Sequence, residues 1–261
     1  MNLPENGERG SADKPRRRGS AGRRRLDRLL VERGLAESRE RAKALILAGK
    51  VTVDGRKVDK AGQAVPADAA IEVAEPLRYV SRGGYKLERA LDRFRIDVRG
   101  KVCLDIGAST GGFTDCLLQR GAARVHAVDT GAGQIAWKLR TDPRVALHER
   151  LNARYLKFDD IGERVDLAVI DVSFISVTLI LPAVAPLLAE GGEMVILVKP
   201  QFEVGRGQVG KGGIVRDPKL HEAACAKVRQ AVEALGFRAE IIESPILGAE
   251  GNREFLLYAF R

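Results

Sequence analysis

The sequence is poor in the residues that hold disulfide-rich domains and metal centres together. Its three cysteines lie far apart without a C-x-x-C spacing, at Cys103, Cys116 and Cys225. This distribution speaks against a disulfide framework and against a structural zinc site. The three histidines are scattered as well, so we expect no metal ligation.

The sequence also lacks a targeting or membrane-spanning segment. Residues 1–25 carry clusters of Arg and Lys but no apolar core of a signal peptide, so we expect neither a secretory signal nor a lipid anchor, and a cytoplasmic protein. The most apolar segment, residues 167–189, has the length of a membrane span. Asp171, two serines, Pro182 and Pro186 interrupt it, which predicts a strand, a turn and a helix.

The positive charge is concentrated in two stretches of the chain. The formal net charge is +9. Residues 1–25 hold eight Arg and Lys against three Asp and Glu, residues 76–100 hold seven against three, and the other residues are balanced. A basic tail can serve solubility alone. Its clustering toward the N-terminal side favours a polyanionic partner such as a nucleic acid.

The N-terminal part predicts a basic tail followed by a small module. Residues 1–24 consist largely of Gly, Ser, Pro and Arg with little to bury, which predicts a disordered tail. Two short helices follow, the second with Ser38 as N-cap and Gly49 as its stop. Valines then alternate around an Asp-Gly turn, so residues 25–75 predict a small α+β domain.

From Lys101 onward, apolar runs alternate with glycine turns and helical stretches. This pattern predicts a parallel sheet covered on both faces. The last two β-rich runs are joined by "PILGAEGN", which is too short for a crossover helix, so they must pair antiparallel. We predict an α/β, Rossmann-like fold with a mostly parallel seven-stranded sheet and a terminal hairpin. It resembles the class I S-adenosylmethionine methyltransferases.

The stretch "VCLDIGASTGGFTD" places a strand, a glycine turn and a helix start in order. Gly107, Gly111 and Gly112 predict close approach of the backbone to a ligand at the helix N-terminus. The dinucleotide fingerprint is not met because Ser109 occupies the second glycine position, and the P-loop ending is missing. A βα turn without a ligand is therefore the alternative interpretation.

Acidic residues at strand ends favour a ligand that contains a ribose. Asp105 ends the first strand and Asp129 the next, where a carboxylate can accept both ribose hydroxyls. NAD and S-adenosylmethionine both contain such a ribose. The Asp-x-Gly-x-Ser-x-Gly form of the loop resembles methyltransferase motif I and favours S-adenosylmethionine. We assign Ser109, Asn152 and Asp171 to the same cofactor site.

Charged residues meet at the carboxyl edge of the predicted sheet, where doubly wound folds bind ligands. Asp171 and Lys199 each end a parallel strand, and Glu254 begins the antiparallel last strand at the same edge. Lys86 precedes the first strand, and periodicity does not define its direction. An ordinary surface ion pair between Lys199 and Glu254 is the alternative.

Long motifs in the chain resemble the TlyA family, whose members are rRNA cytidine 2′-O-methyltransferases, some of them called hemolysins. The motifs that carry this resemblance include "PLRYVSRGGYKL", "DVSFISV", "VKPQFEVGRGQVG" and "SPILGAEGNREF". The resemblance implies an S4 RNA-binding domain at residues 25–75, a linker at 76–82 and an FtsJ-like methyltransferase domain at 83–261.

The resemblance also implies that Lys86, Asp171, Lys199 and Glu254 form a catalytic tetrad. In this hypothesis Lys199 orients and activates the ribose hydroxyl, Asp171 positions Lys199 and the methyl donor, and the other two residues complete the charge network.

Basic residues of the S4-like segment are candidates for gripping RNA phosphates. They are Arg25, Arg28, Arg39, Arg41, Lys43 and Lys50, with Arg78 in the linker. A solvated helix face is the alternative, because the segment has no net charge. The linker residues 78–80 are a candidate for coupling RNA engagement to methyl transfer.

Missing motifs narrow the acceptor to a hydroxyl group. The chain has no Pro-Cys nucleophile for cytosine C5, and "DVSF" replaces the Pro-Pro-aromatic pattern of enzymes that methylate amines. The glycine-rich "QFEVGRGQVGKGG" predicts a lid over the target nucleotide, or else only a long connection.

The family resemblance also bears on the substrate and on competing functions. The sequence ends directly after "LLYAF", whereas members that modify both subunits carry a further tail, so we favour 23S over 16S rRNA. We expect rRNA or ribosomal subunits as partner, no membrane, no metal and a monomer. A non-catalytic RNA-binding factor and a hemolysin are the alternative functions.

Overall fold

The computed structural model describes residues 22–74, 77–248 and 251–261 of the chain. Contacts within the chain divide it into two compact units at residue 76. Residues 1–21 of the predicted disordered tail lie outside the described residues. The first unit is built around one buried apolar cluster and the second around two.

The first unit packs two short helices against small antiparallel sheets. Leu26, Leu30, Ile46 and Val51 are fully buried in its core, and such side chains contribute about 2 kcal/mol each by leaving water. In chain order its elements are β1 (Arg23–Arg25), α1 (Leu26–Glu32), α2 (Arg39–Leu47), β2 (Val51–Val53), β3 (Arg56–Lys57), β4 (Ala64–Pro66) and β5 (Ile71–Val73).

The local signals of this unit are confirmed. The hydroxyl of Ser38 accepts a hydrogen bond from the Arg41 amide and caps α2. Asp54 and Gly55 adopt φ values of 48° and 75° between β2 and β3, as a tight hairpin turn requires. The prediction of a disordered tail through residue 24 is wrong at its end, because Arg23 and Arg24 pair with β4 through backbone hydrogen bonds.

The second unit alternates strands and helices. In chain order its elements are α3 (Gly83–Phe94), β6 (Val102–Ile106), α4 (Gly112–Gln119), β7 (Arg124–Asp129), α5 (Trp137–Arg140), β8 (Val145–Glu149), α6 (Phe158–Ile161), β9 (Val165–Ile170), α7 (Leu181–Val184), β10 (Leu188–Val198), α8 (Pro200–Glu203), α9 (Pro218–Ala234), β11 (Arg238–Glu243) and β12 (Phe255–Phe260). The segment proposed as strand, turn and helix runs from β9 through α7 into β10.

One seven-stranded sheet organises this unit, in the order β11-β12-β10-β9-β6-β7-β8. The strands from β10 to β8 pair parallel, whereas β12 pairs antiparallel with β10 and β11. The prediction of a mostly parallel sheet with a terminal hairpin is confirmed. The chain reverses its direction of travel across the sheet between β6 and β9, and ligands bind at such a switch point.

Two apolar layers cover the sheet. One contains the buried faces of α3, α4 and α5, including Leu87, Leu91 and Leu117. The other contains those of α7 and α9, including Leu181 and Val228. Because both faces are covered, the parallel strands are continuous apolar runs, and polar side chains become available only at the strand ends.

No helix in the described ranges is both long and apolar enough to span a membrane.

Candidate active site

Two adjoining cavities open at the carboxyl edge of the sheet around the β6–α4 loop. One has a volume of about 460 Å³ and is lined by Asp129, Asn152 and the residues after β9. The other, of about 250 Å³, is lined by Arg82, Lys86 and the start of α4. Gly107, Ser109 and Asp171 border both cavities. Together they form an elongated cleft that runs across the loop.

At each glycine of this loop, a different neighbouring atom leaves no space for a side chain. Gly107 has a φ of 82°, and a Cβ there would overlap the carbonyl oxygen of Asp171. A Cβ at Gly111 would overlap Leu139, and one at Gly112 would overlap Ser81 Oγ. Close packing against the protein itself therefore accounts for these glycines directly, which differs from the predicted approach of a ligand.

Asp129 holds the loop while keeping its carboxylate at the cavity wall. Its Oδ2 accepts a hydrogen bond of 2.8 Å from the Ser109 amide, and its Oδ1 accepts one of 2.7 Å from the Gly131 amide. Each carboxylate oxygen has a second lone pair. Asn152 borders the same cavity, and its Oδ1 accepts from the Arg154 amide at 3.0 Å.

Asp105 does not reach the cleft. The residue is fully buried, and Thr114 Oγ1 donates a hydrogen bond of 2.6 Å to its Oδ2. Burial raises the pKa of Asp105 to about 7, because the hydrogen bond from Thr114 offsets only part of the desolvation. Asp105 therefore contacts the first turn of α4 and stabilises the loop between β6 and α4. This role differs from the predicted contact with a ribose.

The four predicted tetrad residues form two lysine–carboxylate pairs. Lys86 Nζ lies 2.5 Å from Glu254 Oε2, and both side chains are almost completely buried. Lys199 Nζ lies 2.6 Å from Asp171 Oδ1. Lys86 points from α3 toward the start of β12, which resolves the direction that the sequence left open. Gly248 makes room for this pair, since a Cβ there would overlap Glu254 Oε1.

A third cavity, of about 490 Å³, lies on the other side of the tetrad. Lys86, Lys199 and Glu254 line it together with Phe174 and Gln201. We call it the acceptor cavity. Because Lys86 also borders the cleft, both lysine–carboxylate pairs stand where the two spaces meet.

Sequence reasoning missed three residues of the acceptor cavity. Ser173 Oγ accepts a hydrogen bond of 2.9 Å from Lys199 Nζ. Phe174 is 91% exposed at a φ of 66°, and its ring centroid lies 5.4 Å from that of Phe202. Gln201 Oε1 is buried without a hydrogen-bond partner among the described residues. The available signal in the sequence was a phenylalanine three residues after Asp171, the residue at the predicted strand end.

The predicted linker packs as part of the second unit from residue 77 onward. Tyr79 is 1% exposed, and its ring fills the space that a side chain at Gly84 would need. Tyr79 Oη donates to Glu88 at 2.9 Å, and the Val80 amide donates to Asp115 of α4 at 2.8 Å. The apolar ring is buried in the core, so this segment is no free spacer.

The predicted RNA-contacting residues fall into two groups. Arg25 and Arg39 both pair with the buried Asp27, and Arg78 pairs with Glu88. The two arginines hold the pKa of Asp27 well below its ordinary value. The other candidates have no ion-pair partner in the described part of the chain: Arg28, Arg41, Lys43 and Lys50.

The strand order, the terminal hairpin and the cleft at the switch point define a Rossmann-like methyltransferase domain. Comparison with known proteins gives the family. Residues 79–261 match the FtsJ-like methyltransferase model, and residues 24–71 match the S4 domain model. The chain belongs to the FtsJ-like methyltransferase family, with an S4 domain before the methyltransferase domain.

Relatives and a solved structure extend the match over most of the chain. The 16S/23S rRNA (cytidine-2′-O)-methyltransferase TlyA of Mycobacterium tuberculosis is 50% identical, covering 91% of this chain and 90% of that protein. Hemolysin A of Brachyspira hyodysenteriae is 44% identical, covering 90% and 98%. A hemolysin-like protein of Streptococcus thermophilus has a solved structure with a TM-score of 0.70 and 46% identity, covering 92% and 89%.

Proposed function

We propose that the chain transfers a methyl group from S-adenosylmethionine to the ribose 2′-hydroxyl of a cytidine in rRNA, with 23S rRNA favoured. The observation that carries this proposal is the position of the two lysine–carboxylate pairs between the cleft and the acceptor cavity. A donor in the cleft and a nucleotide in the acceptor cavity would meet at these side chains.

The cleft suits S-adenosylmethionine in size and in chemistry. Its two cavities, of about 460 and 250 Å³, match an adenosine part and an amino-acid part. Asp129 offers carboxylate lone pairs for ribose hydroxyls in the larger one. Arg82 in the smaller one offers a charge for a carboxylate. When bound, the cofactor supplies an electrophilic methyl group on a sulfonium.

Lys199 is the residue that we assign to the acceptor hydroxyl. Asp171 and Ser173 hold its Nζ from two directions, at 2.6 and 2.9 Å, so the ammonium is oriented before the substrate binds. A lysine held in this way fixes the hydroxyl oxygen for attack on the methyl carbon and stabilises the negative charge that develops on that oxygen. The O–C bond would form as the S–C bond of the sulfonium breaks, with a neutral thioether as leaving group, and the hydroxyl proton would pass to water in the acceptor cavity. Lys86 and Glu254 balance the charge at the wall that both spaces share.

The acceptor cavity supplies contacts for a nucleotide that has left its stack. The exposed ring of Phe174 is a stacking surface at the cavity mouth. Gln201 Oε1, which lacks a partner among described residues, is an acceptor for an exocyclic amine such as that of cytosine. Val209 and Gly213 of the glycine-rich loop form another wall, which supports the hypothesis of a lid.

The choice of rRNA rests on the S4 match and on the relatives' names. The S4 match covers the unit in which four of the predicted RNA-contacting residues, Arg28, Arg41, Lys43 and Lys50, have no ion-pair partner among the described residues. Two of the relatives, from Mycobacterium tuberculosis and Campylobacter jejuni, are named rRNA (cytidine-2′-O)-methyltransferases. A cytoplasmic location, where ribosomal subunits are found, belongs to the same proposal.

The test is methyl transfer to separately prepared, unmodified 30S and 50S subunits with labelled S-adenosylmethionine. We expect label on a cytidine ribose of the 50S subunit, mapped by nuclease digestion. Lys199→Ala should lower kcat by about 10²- to 10⁴-fold. Lys101→Ala is the matched control, because Lys101 pairs with Glu193 at 2.9 Å before the start of β6, at the opposite edge of the sheet, and it should keep full activity.

Label on both subunits would show that 16S rRNA is a substrate as well as 23S rRNA, with the same reaction on each. No label on either subunit, with S-adenosylmethionine binding intact by calorimetry, would overturn the proposal in favour of a non-catalytic RNA-binding factor.

A further inference from the structure

The basic excess of residues 76–100 is not explained by the catalytic site. The structure places most of this stretch on α3 and the turn that follows it. Two arginines of this stretch are paired with acidic neighbours, Arg78 with Glu88 and Arg99 with Asp97. Arg120, which follows α4, engages Asp92 and Glu88. Arg82, Arg89, Arg93 and Arg95 remain exposed, and no residue that the structure describes forms an ion pair with them.

Three of these arginines follow one line along the helix. Arg82, Lys86, Arg89 and Arg93 are spaced at intervals of three or four residues, which puts them on one face of α3. At about 1.5 Å of rise per residue, Arg89 and Arg93 lie ~4 and ~10 Å beyond Lys86 along the helix axis. The line therefore begins at the cofactor cleft, passes the catalytic pair and continues away from it.

A groove accompanies the far end of this line. It lies between α3 and the terminal hairpin, has a volume of about 530 Å³ and is lined by Arg89, Arg93, Arg95, Phe94 and Tyr258. The rings of Phe94 and Tyr258 stack at a centroid distance of 5.0 Å. Since Lys86 meets Glu254 just before β12, and Phe94 meets Tyr258 within it, the groove lies farther along the same strand than the tetrad.

We infer that this groove, which we call the α3 groove, binds the phosphate backbone of the RNA strand that presents the acceptor nucleotide. The inference rests on the proposed function, because it takes the acceptor to be RNA. Unpaired guanidinium groups next to a half-buried aromatic floor are the combination that grips single-stranded nucleic acid. The methyltransferase unit then holds RNA beside the reacting nucleotide, in addition to any contact made by the S4 domain.

The acidic groups at the groove do not cancel this charge. Asp92 is engaged by Arg120 at 2.7 Å, and Glu240 of β11 is the other carboxylate in the lining. Three unpaired arginines thus face one unpaired carboxylate among the lining residues.

Arg95 adds an observation from the backbone. It occupies the position after α3 at a φ of 56°, where glycine is the usual residue. A non-glycine residue there carries a conformational cost of about 1 kcal/mol. Arg95→Gly removes the charge while relieving the backbone.

The experiment compares Arg89→Glu/Arg93→Glu and Arg95→Gly with wild type, using unmodified 50S subunits and labelled S-adenosylmethionine. We expect the KM for 50S subunits to rise about tenfold or more in the double variant, with kcat and the KM for S-adenosylmethionine unchanged. Each lost phosphate contact lowers the slope of log affinity against log salt by about 0.7, so the double variant should lose about 1.4. Arg95→Gly should weaken 50S binding at unchanged or higher thermal stability.

Arg229→Glu is the matched control for charge reversal. Arg229 is an exposed arginine of α9, which covers the opposite face of the sheet. It should leave the KM for 50S subunits within twofold. If the groove variants behave like Arg229→Glu, or if kcat falls while KM stays constant, the inference is wrong.

Binding without methyl transfer separates this inference from the proposed function. Filter binding of 50S subunits, without cofactor, reports the salt slope even when no methyl group is transferred. A reduced slope in the double variant with an inactive wild-type protein would retain the α3 groove and reject the acceptor chemistry. A labelled cytidine together with an unchanged salt slope in the double variant would retain the acceptor chemistry and reject the α3 groove.

Discussion

The Lys86–Glu254 pair is the most deeply buried part of the tetrad. Its side chains are 11% and 2% exposed. Two charges in such a position are stable only together, because removing one leaves the other without solvent or partner. The pair therefore fixes the start of β12 against α3 besides balancing the charge of the site.

We predict that Glu254→Gln lowers the free energy of unfolding by about 3 kcal/mol, whereas Lys86→Met/Glu254→Gln loses less than the sum of the two single variants. Urea denaturation of the three variants measures this coupling. The neighbouring pair of Arg253 and Glu243 has the same separation of 2.5 Å but is 47% exposed on both sides. Glu243→Gln should change stability little, since solvent screens that pair. Equal losses at Glu254 and Glu243 would contradict the argument.

Asp105 makes stability depend on pH. Its folded-state pKa of about 7 lies above the ordinary value of 3.8. The folded protein therefore binds more protons than the unfolded chain between these two values, and stability falls as the pH rises through that window.

We predict that Asp105→Asn becomes more stable relative to wild type as the pH rises from 4 to 8. Asparagine keeps an acceptor for Thr114 and cannot ionise, so the difference grows toward an upper bound of roughly 4 kcal/mol at pH 8. Unfolding measured at pH 4, 6 and 8 checks the trend. A difference that is constant with pH would mean that the carboxyl is ionised throughout.

At the level of elements, the β6–α4 loop depends on a close crossing with the chain after β9. Gly107 needs both a positive φ and the absence of a side chain, because the Asp171 carbonyl occupies that space. Gly162, which follows α6, has nearly the same φ of 81° but open space around it.

We predict that Gly107→Ala reduces the affinity for S-adenosylmethionine by more than about tenfold, while Gly162→Ala does not change it. Both variants carry a similar conformational cost of about 1 kcal/mol, so any further loss of stability at Gly107 measures the steric overlap. Calorimetric titration and thermal unfolding give the two quantities. Equal behaviour of the variants would exclude the crossing as the reason for Gly107.

At the level of the whole molecule, each unit carries both paired charges and basic residues without an ion-pair partner among the described residues. In the second unit the tetrad charges are paired, with Lys86 and Glu254 the more deeply buried pair, whereas the arginines of the α3 groove make no ion pair with described residues. In the first, Arg28, Arg41, Lys43 and Lys50 make no ion pair with described residues, while Arg25 and Arg39 are engaged by Asp27. The four residues without an ion pair are available to phosphates, whereas Arg25 and Arg39 also stabilise the domain through Asp27.

We predict that Arg41→Ala/Lys43→Ala raises the KM for 50S subunits several-fold and leaves the affinity for S-adenosylmethionine unchanged, because phosphate contacts act on RNA alone. Arg39→Ala should in addition lower the stability of the protein, since it removes a partner of the buried Asp27. Kinetics with both substrates and thermal unfolding distinguish the two effects. If the double variant has an unchanged KM for 50S subunits, these residues of α2 form a solvated helix face and do not contact RNA.

The sequence by itself determined the elements whose signals are local or periodic. Ser38, the Asp-Gly turn and the apolar runs of β6, β7, β9 and β10 act through backbone geometry and burial alone, and the short last connection forces an antiparallel pair. The order of strands then placed Asp171, Lys199 and Glu254 at one edge. The pairing of β1 with β4 escaped prediction because an exposed Arg-Arg-Arg run has no periodic signal.

Only the tertiary structure decided how side chains from distant segments meet. The direction of Lys86, the burial of Asp105 behind the loop and the packing of Tyr79 over Gly84 depend on neighbours far along the chain. The same holds for the glycines of the loop, which are required by Asp171, Leu139 and Ser81. Such contacts follow from the three-dimensional arrangement of whole elements, and residue type and spacing do not encode them locally.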